Sequence, residues 1–221
     1  MRKFSFFFRI KRLINNFKND GFIWTISRLF LRLFNEPNEI KRSKFKILKH
    51  LIQIHGYKVA YGEFKEMDVQ KCNEWSKTDL IPFLLGTYEQ PVLNQLIQFS
   101  KQNNNAFIDI GAGDGYFSNG MGYANFFKKI YAFEINQNSQ ENIKENARAN
   151  NCINRINIFG EANYIILKDI INNHKTVVVK IDIEGREFEF LNEEVLNLLS
   201  KSFVVIELHP SSIVDGENKE K

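Results

Sequence analysis

The stretch Phe107-Ile108-Asp109-Ile110-Gly111-Ala112-Gly113-Asp114-Gly115-Tyr116-Phe117-Ser118 narrows the folds open to this chain more than any other. A short apolar run is followed by glycines at three alternate positions. Glycine adopts backbone angles that a Cβ disfavours and lets a ligand come close to the main chain. A helix opening after such a turn begins with free amides. Strand, glycine turn and helix start together form a nucleotide-type pocket at the carboxyl end of a strand. A second strand ending in an acid, Ile130-Tyr131-Ala132-Phe133-Glu134, arrives at the expected distance. Glu134 lies 134 − 115 = 19 residues beyond Gly115. A crossover of that length sets Glu134 beside the turn, where its carboxylate can accept two ribose hydroxyls.

The details of the turn restrict the ligand. A dinucleotide fold wants its third glycine one place later, where Tyr116 stands. Its pyrophosphate would also face two carboxylates, Asp109 and Asp114, and like charges at that range repel. A ligand carrying an ammonium and a sulfonium suits the same site, and S-adenosylmethionine is such a ligand. The D-x-G-x-G-x-G order resembles the first motif of class I methyltransferases. On that reading Gly111, Gly113 and Gly115 shape the cofactor turn. Asp109 takes the amino-acid end and Glu134 the ribose. Glu161, after the third strand, approaches the adenine amine, and Glu89 covers the pocket from the N-terminal side.

The 221 residues suit one enzyme-sized domain with an extension. Charge divides them unevenly. Residues 1–50 hold 13 Lys and Arg against 3 Asp and Glu, a net of +10; the rest holds 17 against 23, a net of −6. Apolar positions recur at helical spacing from Phe4 to Phe17 and from Phe22 to Leu33, with Arg and Lys on the opposite side. Residues 1–54 are therefore expected as a basic amphipathic helical extension, with residues 1–34 either a helical cap packed on the catalytic domain or a candidate for peripheral membrane contact. Residues 38–65 read as a linker and a short strand pair. No run of eighteen apolar residues is present, which predicts no transmembrane helix. Cys72 and Cys152 have no metal or redox spacing. They fit inert thiols in a reducing compartment, so the expected location is the cytoplasm, with a peripheral place at the inner face of the membrane if the arm binds lipid.

From residue 106 strands and helices alternate. Strands are expected at 106–110, 130–135, 156–159, 177–182 and 203–209, and helices near 116–128, 137–150, 163–172 and 193–200, after one at 91–102. The alternation predicts an α/β fold with a parallel, Rossmann-like sheet, whose ligands sit beyond the carboxyl ends of its strands. The fourth and fifth ends hold Lys180, Asp182, Glu184 and Glu187, then Glu207 and His209. Methyl transfer needs alignment of acceptor, methyl and sulfur, and a base when the acceptor is an alcohol. Asp182, Glu184 and His209 are the candidate catalytic residues. Asp182 and Glu207 are candidate ligands for a divalent metal such as Mg; the alternative for Glu184 and Glu187 is that both are merely solvated carboxylates.

Val179-Lys180-Ile181-Asp182-Ile183-Glu184-Gly185-Arg186-Glu187 resembles the K-I-D-x-E-G-x-E signature of the FkbM-type methyltransferases. The glycine turn, Phe133-Glu134 and Ile206-Glu207-Leu208-His209 agree with it, as do Trp75-Ser76-Lys77 and Gly86-Thr87-Tyr88-Glu89. The likeness spans residues 55–210, the expected S-adenosylmethionine-binding domain. It implies O-methylation of a hydroxyl on a sugar, glycan or natural product. A nucleic-acid acceptor is disfavoured, because Glu184 stands where adenine-directed enzymes place a base-holding loop and would repel phosphate. A class I sheet carries two further strands after the fifth. Residues 211–221 read instead as a polar tail, so the sheet is expected to lack its last strands: either the chain is a truncated or frameshifted product or other segments finish the edge, and the alternative function is a non-catalytic cofactor-binding or membrane-associated module.

Overall fold

The computed structural model describes residues 38–70, 72, 80–101 and 106–209. Strand β1, Ala106–Ile110, is buried along its whole length, and the sheet extends outward from it. The other strands are β2 (Lys129–Phe133), β3 (Ile156–Phe159), β4 (Val177–Ile181) and β5 (Phe203–Ile206). Their order is β3-β2-β1-β4-β5 and every pairing is parallel. This is the Rossmann-like α/β fold. Its order reverses between β1 and its neighbours β2 and β4, the switch point at which such sheets bind ligands. β4 is buried throughout despite containing Lys180, as a parallel strand covered on both faces should be. Among the described residues β5 is an edge strand and no sixth strand follows it.

The pleat sorts the core. Phe107 and Val178 point to one face, where they join Leu93, Leu96, Phe117 and Ile143. Ile108, Ile110, Val179 and Ile181 point to the other, against Leu167, Ile170, Val195 and Leu199. The helices doing this are α1 (Asn38–His55), α2 (Leu80–Leu85), α3 (Gln90–Ser100), α4 (Tyr116–Tyr123), α5 (Gln137–Ala149), α6 (Tyr164–Asn172), α7 (Glu187–Phe190) and α8 (Glu193–Leu199). Asparagines start three of them: Asn136, Asn163 and Asn192 each accept a hydrogen bond from a backbone amide of the first turn. Such a cap satisfies a donor the helix itself cannot.

Two expectations are corrected upstream of the sheet. Residues 38–55 form one 18-residue helix, not a linker. Leu48, Leu51 and Ile52 recur at helical spacing and pack in the core, a pattern obscured by the surrounding lysines. Gly56, at φ +65°, ends the helix with its amide on the Ile52 carbonyl. The strand pair expected after it is reduced to a single antiparallel bridge, Lys58 with Asp68. The chain divides into two compact units, Met1–Ile47 and Leu48–Lys221. The basic arm over 1–37, the Trp75-Ser76-Lys77 piece and the tail from 210 onward lie outside the described residues. No helix among the described residues is long and apolar enough to cross a membrane.

Gly120 in α4 exists to admit Phe64. A Cβ there would lie 2.2 Å from the Phe64 ring. Alanine gains about 1 kcal/mol of helix propensity over glycine, but overpacking a filled core costs about 1–3 kcal/mol. Packing should win, so Gly120→Ala is expected to lower the free energy of urea unfolding by about 1 kcal/mol. A gain in stability would show that the Phe64 contact is not formed.

Candidate active site

The glycine turn is tied to both neighbouring strands. The Gly111 and Ala112 amides donate to the Phe133 carbonyl at 2.9 and 3.0 Å, and the Asp182 amide donates to the Ile110 carbonyl at 2.9 Å. Gly111 has φ +81°, and a Cβ there would stand 1.7 Å from the backbone oxygen of Asp182. Only glycine lets the chain after β4 come this close. Glu134, directly after β2, accepts the Gly113 amide on Oε2 at 2.8 Å and the Asn136 amide on Oε1 at 2.8 Å. Each carboxylate oxygen keeps a second acceptor direction. A cavity of about 390 Å³ opens at these strand ends, within the size range of small-molecule sites. Its wall includes Gly111, Gly113, Glu134, Glu161, Asp182 and Glu184, with Ile110, Phe133, Tyr164 and Phe190 as apolar surface. Arg186 donates to Glu161 at 3.2 Å and to Glu189 at 3.4 Å from an exposed position, so this pairing is cheap to break.

A second group of charges lies beside that wall. Lys180 is only 4 % exposed. It pairs with Asp182 Oδ2 at 3.0 Å, and its Nζ stands 5.1 Å from the Phe117 ring centroid. Burial pushes the Lys180 ammonium down, but the carboxylates of Asp109, Asp182 and Glu89 outweigh burial and hold it above its usual value. Asp109 is Lys180's partner in the β1–β4 register. Its Oδ2 accepts the Ser118 hydroxyl at 2.6 Å. Burial pushes its carboxyl up against the pull of Lys180 and Ser118. Glu89, Asp182 and Glu207 bring one carboxylate oxygen each to within 4.8 Å of one another. Burial and the Asp182 and Glu89 charges raise the Glu207 carboxyl. The Asp182–Glu207 pair named for a metal thus comes together. Lys180 supplies one positive charge to this group of carboxylates through its pair with Asp182.

Glu187, for which solvation was the alternative reading, is fully buried. Its Oε1 accepts the Ile183 amide at 3.2 Å, the Gly185 amide at 3.1 Å and His209 Nδ1 at 2.9 Å. The turn it holds is strained, with Glu184 at φ +55° and Gly185 at φ +99°. Burial pushes Glu187 up, but its bonds to backbone amides and to His209 prevail and hold it below the ordinary glutamate range. His209 Nε2 stands 3.6 Å from Glu184 Oε2 and 3.9 Å from Asp182 Oδ1. The Glu187 hydrogen bond, then the Glu184, Glu187 and Asp182 charges, raise the imidazole's proton affinity despite burial. Asp182 Oδ1 is buried and has no hydrogen-bond partner.

The expected residues therefore fall into two neighbouring sets. Gly111, Gly113, Glu134, Glu161, Asp182 and Glu184 line the cavity. Glu89, Glu207 and His209 gather around Asp182 outside that wall. Asp109 and Gly115 do not line the cavity. Asp109 is bonded to Ser118, and Gly115 sits against Asn119 and Ile143. Asp114 does not face a ligand as expected; it accepts from Ser139 at 3.1 Å and Asn142 at 3.0 Å and anchors α5 to the turn. Both thiols are buried and pushed up by burial, Cys152 to about 11, which suits inert cysteines. Lys180 and Glu187 were expected at the fourth strand end but without a role there. A lone lysine in an otherwise apolar strand is the available signal for the first, since a buried ammonium demands carboxylate partners.

No protein-family model matches the chain, and no curated protein matches it. Solved structures do. An O-methyltransferase family protein from Burkholderia thailandensis is 10 % identical at TM-score 0.42, over 83 % of this chain and 64 % of that one. The O-methyltransferase TomG from Streptomyces achromogenes, involved in tomaymycin synthesis and solved with S-adenosylmethionine, is 14 % identical at TM-score 0.41, over 58 % of this chain and 65 % of that one. An rRNA methylase from Streptococcus thermophilus is 10 % identical at TM-score 0.39, over 58 % of this chain and 76 % of that one. These values carry no argument about chemistry, which has to come from the site.

Because Glu187 is held below its ordinary value, its stabilising charge is complete above the unfolded glutamate range and is lost as pH falls through the native value. Glu187→Gln should cost about 1–3 kcal/mol in urea unfolding at neutral pH. The deficit should shrink as the pH drops below about 4. A deficit that does not change with pH would mean that Glu187 is not ionised in the native protein.

Proposed function

We propose that this chain is an S-adenosylmethionine-dependent methyltransferase that methylates a hydroxyl on a sugar, glycan or small natural product, in the manner of the FkbM-type enzymes it resembles. The observation that carries this reading is the carboxylate-rimmed glycine turn. Gly111 packs against the chain after β4 with no space for a Cβ, and the Gly113 amide is held by Glu134 on the wall of the 390 Å³ cavity. Glu134, Glu161, Asp182 and Glu184 give that wall the sign a cationic donor needs and a pyrophosphate does not. The same sign speaks against a phosphate-rich acceptor.

Bound there, the donor supplies an activated methyl carbon on a good leaving group. The chain's part is placement. Glu134 directs its second lone pairs at the ribose hydroxyls. Glu161 exchanges its exposed Arg186 partner for the adenine amine. Asp109 polarises the region of the amino-acid end through Lys180 and Ser118 instead of by direct contact. Asp182 belongs to both sets of residues, so the acceptor stands beside it, with Asp182, Glu184 and His209 as the groups able to take a hydroxyl proton. Glu89 and Glu207 complete the polar lining on that side. No step requires a metal.

Calorimetry tests the reading. The wild-type chain should bind S-adenosylmethionine and be indifferent to inorganic pyrophosphate. Glu134→Ala should weaken donor binding roughly tenfold, a loss of about 1.4 kcal/mol. A wild-type chain that binds no donor, or prefers pyrophosphate, refutes the function; unchanged affinity in Glu134→Ala refutes the ribose role.

A further inference from the structure

The two ends of the sheet carry opposite charge. Among the described residues, the connections that leave the strands hold Asp114, Glu134, Glu161, Asp182, Glu184 and Glu207, with Arg186 as their one Lys or Arg. The connections that enter the strands are the reverse. Lys101 before β1, 124–128 before β2, 150–155 before β3, 173–176 before β4 and 200–202 before β5 contain no Asp or Glu. With Lys129, the first residue of β2, they supply Lys101, Lys128, Lys129, Arg155, Lys175 and Lys201. The five lysines are exposed, and none of them is in an ion pair among the described residues. Arg155 is half-buried and donates to the Phe127 carbonyl at 3.4 Å. Two carboxylates from flanking segments lie against this end, and both are engaged locally. Asp169 Oδ1 accepts from Asn173 at 3.3 Å. Asp68, bonded through its backbone to Asn150, accepts the Gln70 amide on Oδ1 at 2.9 Å. Six cations against these two leave the face strongly positive.

The parallel order β3-β2-β1-β4-β5 sets the strand entries side by side. Four inter-strand gaps of about 4.8 Å make the row roughly 19 Å long, and the strands hold it about 16 Å from the acidic end. The side chains select the partner. Arginine's planar fork suits an ordered array of phosphates, whereas lysine is a compact point charge that asks for no fixed geometry. All the exposed cations here are lysines. None of the exposed large apolar residues belongs to these connections, so the face offers unpaired bases no aromatic platform to stack on. Charge spread over a broad face, without register, matches a fluid layer of anionic headgroups. We propose that this amino-end face of the sheet, centred on Lys128, Lys129 and Lys175, docks on an anionic lipid bilayer. The contact is superficial and held by charge, each lysine contributing about a fivefold gain in partitioning. The acidic end is repelled by the same surface, so the domain docks with its cavity toward solution. This face is distinct from residues 1–34, whose expected contact would insert aromatic side chains.

Sedimentation of the full chain with vesicles tests the proposal. The wild type should bind vesicles of equal parts phosphatidylcholine and phosphatidylglycerol, and not phosphatidylcholine alone. Lys128→Gln/Lys175→Gln should lower that partitioning by about tenfold or more, whereas Lys144→Gln/Lys168→Gln, which removes two cations from α5 and α6, should change it by less than about twofold. A second readout needs no variant. Anionic vesicles should shield Lys128, Lys129 and Lys175 of the wild type from an amine-acylating reagent and leave Lys168 reactive. Absence of binding to the anionic vesicles, equal losses in the two double variants, or lysines that stay reactive on the vesicle each overturn the proposal. If a duplex RNA binds instead, and loses affinity in Lys128→Gln/Lys175→Gln, the face takes nucleic acid and the bilayer assignment falls.

Discussion

A lysine ammonium buried in the sheet organises this structure. Lys180 belongs to β4, a strand covered on both faces, and an isolated charge there would cost several kcal/mol. It is tolerated because Asp109 lies opposite it in the adjacent strand and Asp182 two residues further along, on the same side of the pleat. Glu89, from the start of α3, adds to the same field. In turn the ammonium makes a concentration of carboxylates affordable at the carboxyl ends of β1, β4 and β5. Without it, Asp109, Asp182, Glu89 and Glu207 would be a set of like charges in a partly dry corner, a source of strain rather than a site.

The site then follows from where the sheet ends. Parallel strands discharge their chains on one side, and the order β3-β2-β1-β4-β5 puts the turns after β1, β2 and β4 next to one another. Gly111 allows the turn after β1 to touch the chain after β4, and Glu134 reaches across from β2. The result is a cavity with acids on its wall, adjoining the Lys180 cluster through Asp182. Glu187 does for the outer part what Lys180 does for the inner one. It is a buried charge whose partners are drawn from two elements, so that satisfying it fixes both. Both devices exploit the high cost of leaving a buried charge unpaired.

Much of this was legible in the linear chain. The alternation of short apolar strands with amphipathic helices foretold a parallel sheet, and the five strands lie within a few residues of their expected places. Glu134 meets the glycine turn because a crossover of fixed length leaves it little choice. Other parts were not legible. The 38–55 helix was hidden because its apolar positions are diluted by lysines and only packing at Leu48 and beyond reveals its inner face. Asp114 looked like a ligand-facing acid because local sequence does not say which way a turn side chain points. The structure gives it to Ser139 and Asn142. Glu187 could not be told from a solvated carboxylate, because charged residues near strand ends are usually exposed.

By itself the sequence determined the periodicities, and therefore the elements, the parallel arrangement and the acid-bearing glycine turn. These depend on short-range rules: which residues tolerate positive φ, which alternate, and how long a crossover must be. Only the tertiary structure decided which carboxylates are buried, which share the Lys180 charge, and which one bonds His209. Those pairings join residues brought together by sheet order, such as Glu89 with Asp182 and Glu187 with His209. Their energies depend on desolvation, a property of the folded surroundings and not of any segment read alone.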